Sequence, residues 1–224
     1  MEPIFILQGI AGSHAHGLAT PESDEDLRGT YAYPTNHYWS LTKPAESLDG
    51  TNPDFSYQEL EKFMKLAVNG NPSILEVLYL NNYTIKEPIY GDLLLSIRDA
   101  FLSKDRIYNA YLGYAHAQFE KFRNRDGRSF NASTSNRTNK NARHMFRLLE
   151  QGKHLYETGH LNVQVNNPQW YTELSQMSNE QILNEYEIRM RDFREIGNST
   201  LSDKPDWDTL NDYLYQYRIN HVLS

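Results

Sequence analysis

The most constraining feature of the sequence is a Gly-Ser turn that follows a short apolar run and precedes a closely spaced pair of aspartates. The apolar run covers residues 4–7, the turn is Gly12-Ser13, and the acids are Asp24 and Asp26. Alternate side chains of an extended strand point to the same face, so the two carboxylates are expected to project together. Carboxylates held that close repel each other unless a cation lies between them. The pattern indicates a cation site, and an acidic solvated loop remains the alternative interpretation.

The same stretch suits the chemistry of nucleotidyl transfer. Two Mg²⁺ ions held by shared carboxylates bind the phosphates of a nucleotide, lower the pKa of an attacking hydroxyl and stabilise the departing pyrophosphate. A Gly-Ser turn at the start of a helix offers backbone N–H groups and a hydroxyl to a triphosphate, and the glycine has no Cβ to block close approach. A third carboxylate typically completes such a site. Asp54 is our candidate, with Asp49 and Glu59 as competitors.

Hydrophobic periodicity predicts an α+β fold, in which a small mixed sheet with flanking helices is followed by a mainly helical C-terminal half. Because Ser56 and Glu59 match a capping box, a helix is predicted from Ser56 to about residue 68, and Ser73 is expected to cap the next helix. The predicted strands cover residues 3–10, 24–33 and 83–90. Loops are predicted over residues 37–53 and 126–136. The later helices are predicted over residues 92–101, 104–125, 139–158, 178–196 and 207–222. We divide the chain into a core over residues 1–91 and a helical region over residues 92–224.

The composition is that of a globular protein, with 39% apolar and 23% charged residues. No apolar run approaches the roughly 20 residues of a membrane span, so no membrane partner is expected. Residues 1–3 carry no basic region, which favours a buried strand rather than a signal peptide over residues 4–7. The absence of cysteine excludes disulfides and thiolate metal sites and fits a cytoplasmic location. None of these features sets the oligomeric state.

The charge of the chain is unevenly distributed. The net charge is −7, yet residues 121–153 contain nine basic residues against two acids. Within this segment Lys140, Arg143, His144 and Arg147 recur at spacings of three and four, which places them along one stripe of a helix. Such a stripe either holds phosphates or is a solvated helix face.

A longer motif carries a resemblance to a known family. Gly12-Ser13-x-Ala15-x-Gly17 followed by Thr20-Pro21-x-Ser23-Asp24-x-Asp26-x-Arg28-Gly29 resembles the nucleotidyltransferases of the DNA polymerase beta superfamily, specifically the RNA-repair-pathway group common in bacteria and their phages. The likeness spans most of residues 9–165. It continues in Asp54, Tyr57, Glu59-Leu60, Phe63, Leu66-Ala67, Asn71-Pro72, Leu75-Glu76-Val77-Leu78, Lys140, His144, Arg147-Leu148-Leu149, Gly159 and Val163.

The resemblance implies a nucleotidyltransferase fold and a two-metal site for Mg²⁺ or Mn²⁺. It makes Asp24 and Asp26 metal ligands, Gly12-Ser13 the phosphate-binding turn and Asp54 the third carboxylate. The superfamily usually has an apolar residue between the paired acids. Here Glu25 intervenes, so its face of the strand cannot be deeply buried unless Glu25 has a partner such as Arg28.

Further residues are candidates for contact with the nucleotide. Arg28 either neutralises carboxylate or phosphate or forms a structural salt bridge, and His14 and His16 flank the turn. Lys140, His144 and Arg147 are the candidates in the basic stripe.

The expected reaction transfers a nucleoside monophosphate from an NTP to a hydroxyl and releases pyrophosphate. The group's association with RNA repair suggests an RNA end as the acceptor. The alternatives are a protein or small-molecule acceptor, as in toxin-like relatives, a non-catalytic nucleotide or RNA binding module, and a metal nuclease.

Overall fold

The computed structural model describes residues 2–124 and 132–222, with side chains from residue 139 onward in the second range. The chain divides into two compact units, of which the first combines residues up to 103 with residues from 202 onward, and the second comprises residues 104–201. This division differs from the one expected at residue 91. The expected α+β fold with a small mixed sheet and a helical second half is confirmed.

A five-stranded mixed sheet forms the centre of the first unit. Its strands are β1 (Ile4–Ala11), β2 (Asp26–Ala32), β3 (Ser47–Thr51), β4 (Asp54–Glu59) and β5 (Tyr83–Lys86). The spatial order is β3-β4-β2-β1-β5. Only the β2–β4 pair is parallel, and the other neighbours run antiparallel. The parallel pair brings the first residues of β2 and β4 to the same end of the sheet.

The first unit also contains helices. They are α1 (Gly12–His16), α2 (Leu60–Val68), α3 (Pro72–Leu78), α4 (Tyr90–Ser96) and α9 (Trp207–Asn220), with short 3₁₀ turns over Thr35–Trp39 and Arg98–Phe101. Helix α2 buries Leu60, Phe63, Met64 and Ala67, which recur at the spacing of one helical face. An aromatic cluster of Tyr31, Tyr33 and Tyr57 forms a further part of the core.

The second unit is helical. It comprises α5 (Lys104–Arg123), α6 (Ala132–Thr158), α7 (Pro168–Glu173), a 3₁₀ turn over Leu174–Gln176 and α8 (Asn179–Arg194). Helices α5 and α6 approach closely at Gly152, where a Cβ would lie 2.5 Å from the Cβ of Tyr111. Gly159 ends α6 with a φ of +76°, as expected for a glycine after a helix.

Three local predictions were wrong. Ser56 does not cap a helix but lies in β4, and Glu59 instead accepts a hydrogen bond from the backbone N–H of Glu61 at the start of α2. The predicted loop over residues 37–53 contains β3. The cap of α3 is Asn71 rather than Ser73, because Pro72 occupies the first helical position.

The predicted loop over residues 126–136 falls partly outside the described residues, since residues 126–131 are not among them. Residues 132–136 belong to α6. In the described part of the chain, no helix has both the length and the apolar character needed to cross a membrane.

Candidate functional site

Asp26 and Asp54 lie next to each other at one end of the sheet. Asp26 is the first residue of β2 and pairs in parallel register with Asp54, the first residue of β4. On its other side Asp26 pairs with Ala11, the last residue of β1. Neighbouring strands are about 4.8 Å apart, so this register places two carboxylates within reach of one cation.

The Gly12 turn lies directly against the carboxylate of Asp26. Gly12 follows β1 with a φ of +63°, and a Cβ at this position would lie 1.9 Å from Oδ2 of Asp26. Any side chain here would displace the carboxylate, and the positive φ also favours glycine. The glycine is therefore required both by the backbone conformation and by the contact with Asp26.

Arg28 supplies a positive charge to this pair of acids. Its Nη1 lies 3.3 Å from Oδ1 of Asp54, and its Nη2 lies 3.7 Å from Oδ1 of Asp26. Nη1 also donates a hydrogen bond to the carbonyl oxygen of Leu27 at 2.9 Å. The three charged side chains are 28% to 47% exposed, so solvent screens these salt bridges and each contributes at most about 1 kcal/mol.

Asp24 and Glu25 are exposed residues that precede β2. Strand alternation therefore does not place Asp24 beside Asp26, although the motif makes both acids candidates. The exposure of Glu25 fits the expectation that its face is not deeply buried. Within residues 2–124 and 132–222, no three His, Asp or Glu side chains form a group able to hold a metal ion.

The site fits a divalent cation in its donor chemistry. Carboxylate oxygens are the ligands that Mg²⁺ and Mn²⁺ prefer. Asp26 and Asp54 offer them from adjacent strands, and the contact with Arg28 shows that this position accepts positive charge.

The histidines that flank the turn have different environments. His16 is buried, and its Nε2 lies 3.2 Å from Oε2 of buried Glu76 in α3. His14 is nearer the solvent, and its Nε2 lies 3.3 Å from the carbonyl oxygen of Ser23. From the sequence both histidines are candidates for contact with phosphate or base, and the pairing of His16 with Glu76 was not predicted.

The competing acids differ from Asp54 in their surroundings. Asp49 is exposed on β3 and faces Ser56 across the strand pair. Glu59 is buried and accepts hydrogen bonds from Tyr38 at 2.7 Å and from Arg218 at 2.6 Å. Asp54 is the acid that pairs with Asp26 in the sheet.

The predicted basic stripe belongs to the second unit. Lys140 is exposed, whereas Arg143 donates from Nε to the carbonyl oxygen of Tyr171 at 3.1 Å. Arg147 is buried and donates from Nη1 to Oε1 of Gln151 at 2.8 Å, and burial lowers its pKa to about 10. His144 is partly buried. The role of these side chains toward phosphate stays a prediction.

Comparison with known proteins identifies the family. The family model described as RNA repair pathway DNA polymerase beta family matches residues 4–216. The chain belongs to this family. The resemblance deduced from the Gly12 to Gly29 motif is thereby confirmed, and the RNA repair pathway family is one of nucleotidyltransferases in the polymerase beta superfamily.

Two individual proteins are similar to this family member. An uncharacterized 38.9 kDa protein from the nrdC–mobD intergenic region of Enterobacteria phage T4 is 27% identical over 131 residues, which are 52% of this chain and 38% of the phage protein. The chain thus spans well under half the length of that relative. The crystal structure of a nucleotidyltransferase-like protein from Exiguobacterium sibiricum 255-15 is also similar. The alignment covers 98% of this chain and 74% of the Exiguobacterium chain, with 13% sequence identity and a TM-score of 0.34.

Proposed function

We propose that this chain is a divalent-metal-dependent nucleotidyltransferase that transfers a nucleoside monophosphate from an NTP to a hydroxyl group, with an RNA end as the acceptor. The observation that carries the proposal is the register that sets Asp26 beside Asp54, with Gly12 packed against the Asp26 carboxylate. Membership of the RNA repair pathway family supports the reaction class and the choice of acceptor.

In this proposal each residue at the end of the sheet has a distinct role. Asp26 and Asp54 would hold the cation, and Asp24 would add a ligand from the segment before β2. A bound Mg²⁺ or Mn²⁺ would neutralise phosphate charge and make the attacking hydroxyl more acidic. Gly12 leaves room for phosphate beside Asp26, and Ser13 offers its hydroxyl. Asp54 orients the acceptor hydroxyl.

The transfer balances without an additional reactant. The acceptor oxygen forms a bond to the α-phosphorus, and the bond from that phosphorus to the bridging oxygen of the β-phosphate breaks. The nucleotide keeps its α-phosphate, pyrophosphate leaves, and the hydroxyl proton passes to solvent. Arg28, which contacts both acids, would offer guanidinium donors to a phosphate oxygen beside them.

The basic stripe of α6 belongs to the second unit. In this proposal Lys140, His144 and Arg147 are its candidate contacts to phosphate. Lys140 has the most exposed position of the three, whereas Arg147 is buried beside Gln151. Lys140 therefore best meets the requirement for an accessible cation.

Label transfer tests the proposal. The protein is incubated with α-labelled NTP, Mg²⁺ and separate pools of RNA, protein and metabolites. We expect label in the RNA pool and its loss in Asp24→Asn and Asp26→Asn, with unchanged circular dichroism. Asp92→Asn removes an exposed acid that pairs with Lys86 in the same unit, and it should leave transfer intact. Wild-type transfer by both site variants would contradict the metal assignment.

The RNA, protein and metabolite pools also distinguish the proposed function from its alternatives. Label in the protein or metabolite pool would retain the chemistry and change the acceptor. NTP binding without label in any pool would make the chain a binding module and contradict transferase activity.

A further inference from the structure

The segment between β2 and β3 exposes two large apolar side chains. We call residues 33–44 the aromatic loop. Within it Trp39 is 69% exposed, and Leu41 is fully exposed. The two side chains lie two residues apart on one loop and leave their apolar area in contact with water.

The exposure of Trp39 is set by a hydrogen-bonded framework around its neighbour Tyr38. The hydroxyl of Tyr38 donates to Oε1 of Glu59 at 2.7 Å and accepts from the backbone N–H of Tyr33 at 3.1 Å. The guanidinium of Arg218 lies 3.9 Å from the centre of the Tyr38 ring, and Lys43 donates to the Tyr38 carbonyl oxygen. Tyr38 is thus held inward, whereas the side chain of the following residue, Trp39, is exposed.

A cavity lies within the same loop. It has a volume of about 370 Å³ and is lined by Tyr33, His37, Ser40, Thr42, Lys43 and Pro44. This volume falls in the range of small-molecule sites. The lining offers an imidazole, hydroxyls and an ammonium group that has protons left after its bond to Tyr38. Beside these groups lie the ring of Tyr33 and the ring of Pro44, so the cavity can contact a sugar ring and a phosphate at the same time.

The charge of the loop favours a polyanion. The chain has a net charge of −7, yet residues 33–44 contain Lys43 and His37 and no acid. Aromatic side chains interspersed with cations are the usual surface for single-stranded nucleic acid, since bases stack on the rings while cations contact the backbone.

We propose that the aromatic loop is a binding surface for single-stranded RNA, with an unpaired base stacked on Trp39 and the adjoining ribose-phosphate in the cavity. The choice of RNA rests on the proposed function, whereas the surface itself rests on the loop geometry. Strand β2 separates the loop from Asp26 by roughly 20 Å at about 3.3 Å per residue. The aromatic loop would therefore bind the acceptor strand at a distance from the carboxylate of Asp26.

Binding of labelled single-stranded RNA, measured by fluorescence anisotropy without NTP or metal, tests this surface. Loss of one stacked base weakens binding roughly 5- to 150-fold, so we expect a drop of that size for Trp39→Ala. Trp39→Phe keeps a stacking ring and should retain most of the affinity. Trp207→Ala removes a tryptophan that is 48% exposed in the same unit, and it should bind RNA like the wild type.

Two further measurements make the result specific. RNA should quench tryptophan emission in the wild type and in Trp207→Ala but not in Trp39→Phe. Thermal unfolding of Trp39→Ala should match the wild type, because the side chain is exposed. Equal affinity of Trp39→Ala and wild type, equal binding of double-stranded RNA, or no RNA binding by the wild type would each overturn the proposal. The binding measurement does not depend on catalysis, so a failure of label transfer would not change how the RNA affinities are interpreted.

Discussion

His16 and Glu76 form a buried pair between α1 and α3, with 3.2 Å between Nε2 and Oε2. Helix α1 begins at Gly12 and ends at His16, and it carries the turn that faces Asp26. A helix of five residues has little stability of its own, so tertiary contacts must hold it in place. We infer that the pair fixes the position of the Gly12 turn against the sheet.

Removal of Glu76 should destabilise the protein and weaken nucleotide binding. Loss of a buried hydrogen bond to a carboxylate costs about 1.5 to 3 kcal/mol, and we expect Glu76→Ala to fall in that range. Glu76→Gln keeps a hydrogen-bond acceptor for His16 and should lose less. Urea unfolding and binding of a fluorescent NTP analogue measure the two effects. Lys65→Ala breaks the exposed pair with Glu61 and should cost at most about 1 kcal/mol, and a similar cost for Glu76→Ala would contradict this role.

Gly12→Ala should impair the site more than the fold. The new Cβ would meet Oδ2 of Asp26 at 1.9 Å, so the carboxylate or the turn must move. We expect label transfer to fall at least about tenfold, since small displacements of catalytic groups have effects of this order. Gly113→Ala is the matched control, because its Cβ meets nothing within 4 Å and alanine favours helix α5. Equal activity in the two variants would show that Gly12 does not position Asp26.

Arg28→Met should make the stability of the protein depend on divalent cations. Without the guanidinium, the repulsion between Asp26 and Asp54 loses the compensating charge of Arg28, and a metal ion would restore it. Addition of Mg²⁺ should raise the thermal midpoint of the variant more than that of the wild type, because a ligand stabilises the state that binds it. Arg123→Met, which breaks an exposed pair with Glu120, should respond as the wild type does. The same Mg²⁺ response in all three proteins would argue against a shared cation position.

Buried tyrosines should make the fold sensitive to alkaline pH. Burial raises the pKa of Tyr38 and of Tyr186 to about 12, and it raises the pKa values of Tyr31, Tyr79 and Tyr213 further. Unfolded tyrosines lose their protons near pH 10, whereas these remain protonated in the folded state. The free energy of unfolding should therefore fall as the pH rises from about 10 toward 12.

Urea unfolding at a series of alkaline pH values, with tyrosinate absorbance recorded in parallel, measures this dependence. The last part of the absorbance rise, which comes from the buried rings, should accompany unfolding. Complete tyrosinate formation near pH 10 without any loss of stability would show that the buried rings titrate freely in the folded protein.

The sequence predicted best those elements whose signals are local. The capping box of Ser178 and Gln181 opens α8, and Gly159 follows α6. The similar pair Ser56 and Glu59 gave a wrong helix prediction, because β4 is stabilised by contacts with residues distant in the sequence. Gln58 bonds to both Ser47 and Ser56, so the polar side chains of this strand are satisfied within the sheet. A capping motif does not reveal such long-range pairing.

The motif proposed Asp24, Asp26 and Asp54 as site residues, but it did not predict how they are arranged. The neighbours of Asp26 follow from the register of β2 with β4, and this register joins residues 28 positions apart in the chain. The contacts of Arg28 with Asp54 and of His16 with Glu76 likewise join residues that are far apart in the chain. Residue types and spacing indicated the chemistry, whereas the partners of each charge required the three-dimensional structure.

The first unit includes a C-terminal segment that is synthesised after the whole of the second unit. Arg218 of α9 binds buried Glu59, and the Thr35 hydroxyl donates to the Arg218 carbonyl oxygen at 2.6 Å. Residues 104–201 form an uninterrupted stretch, so during translation they are free to fold before α9 leaves the ribosome. Until then Glu59 lacks its cationic partner. A nascent chain that stops short of residue 218 would therefore keep a buried carboxylate without its arginine, which makes truncated products ready targets for proteolysis.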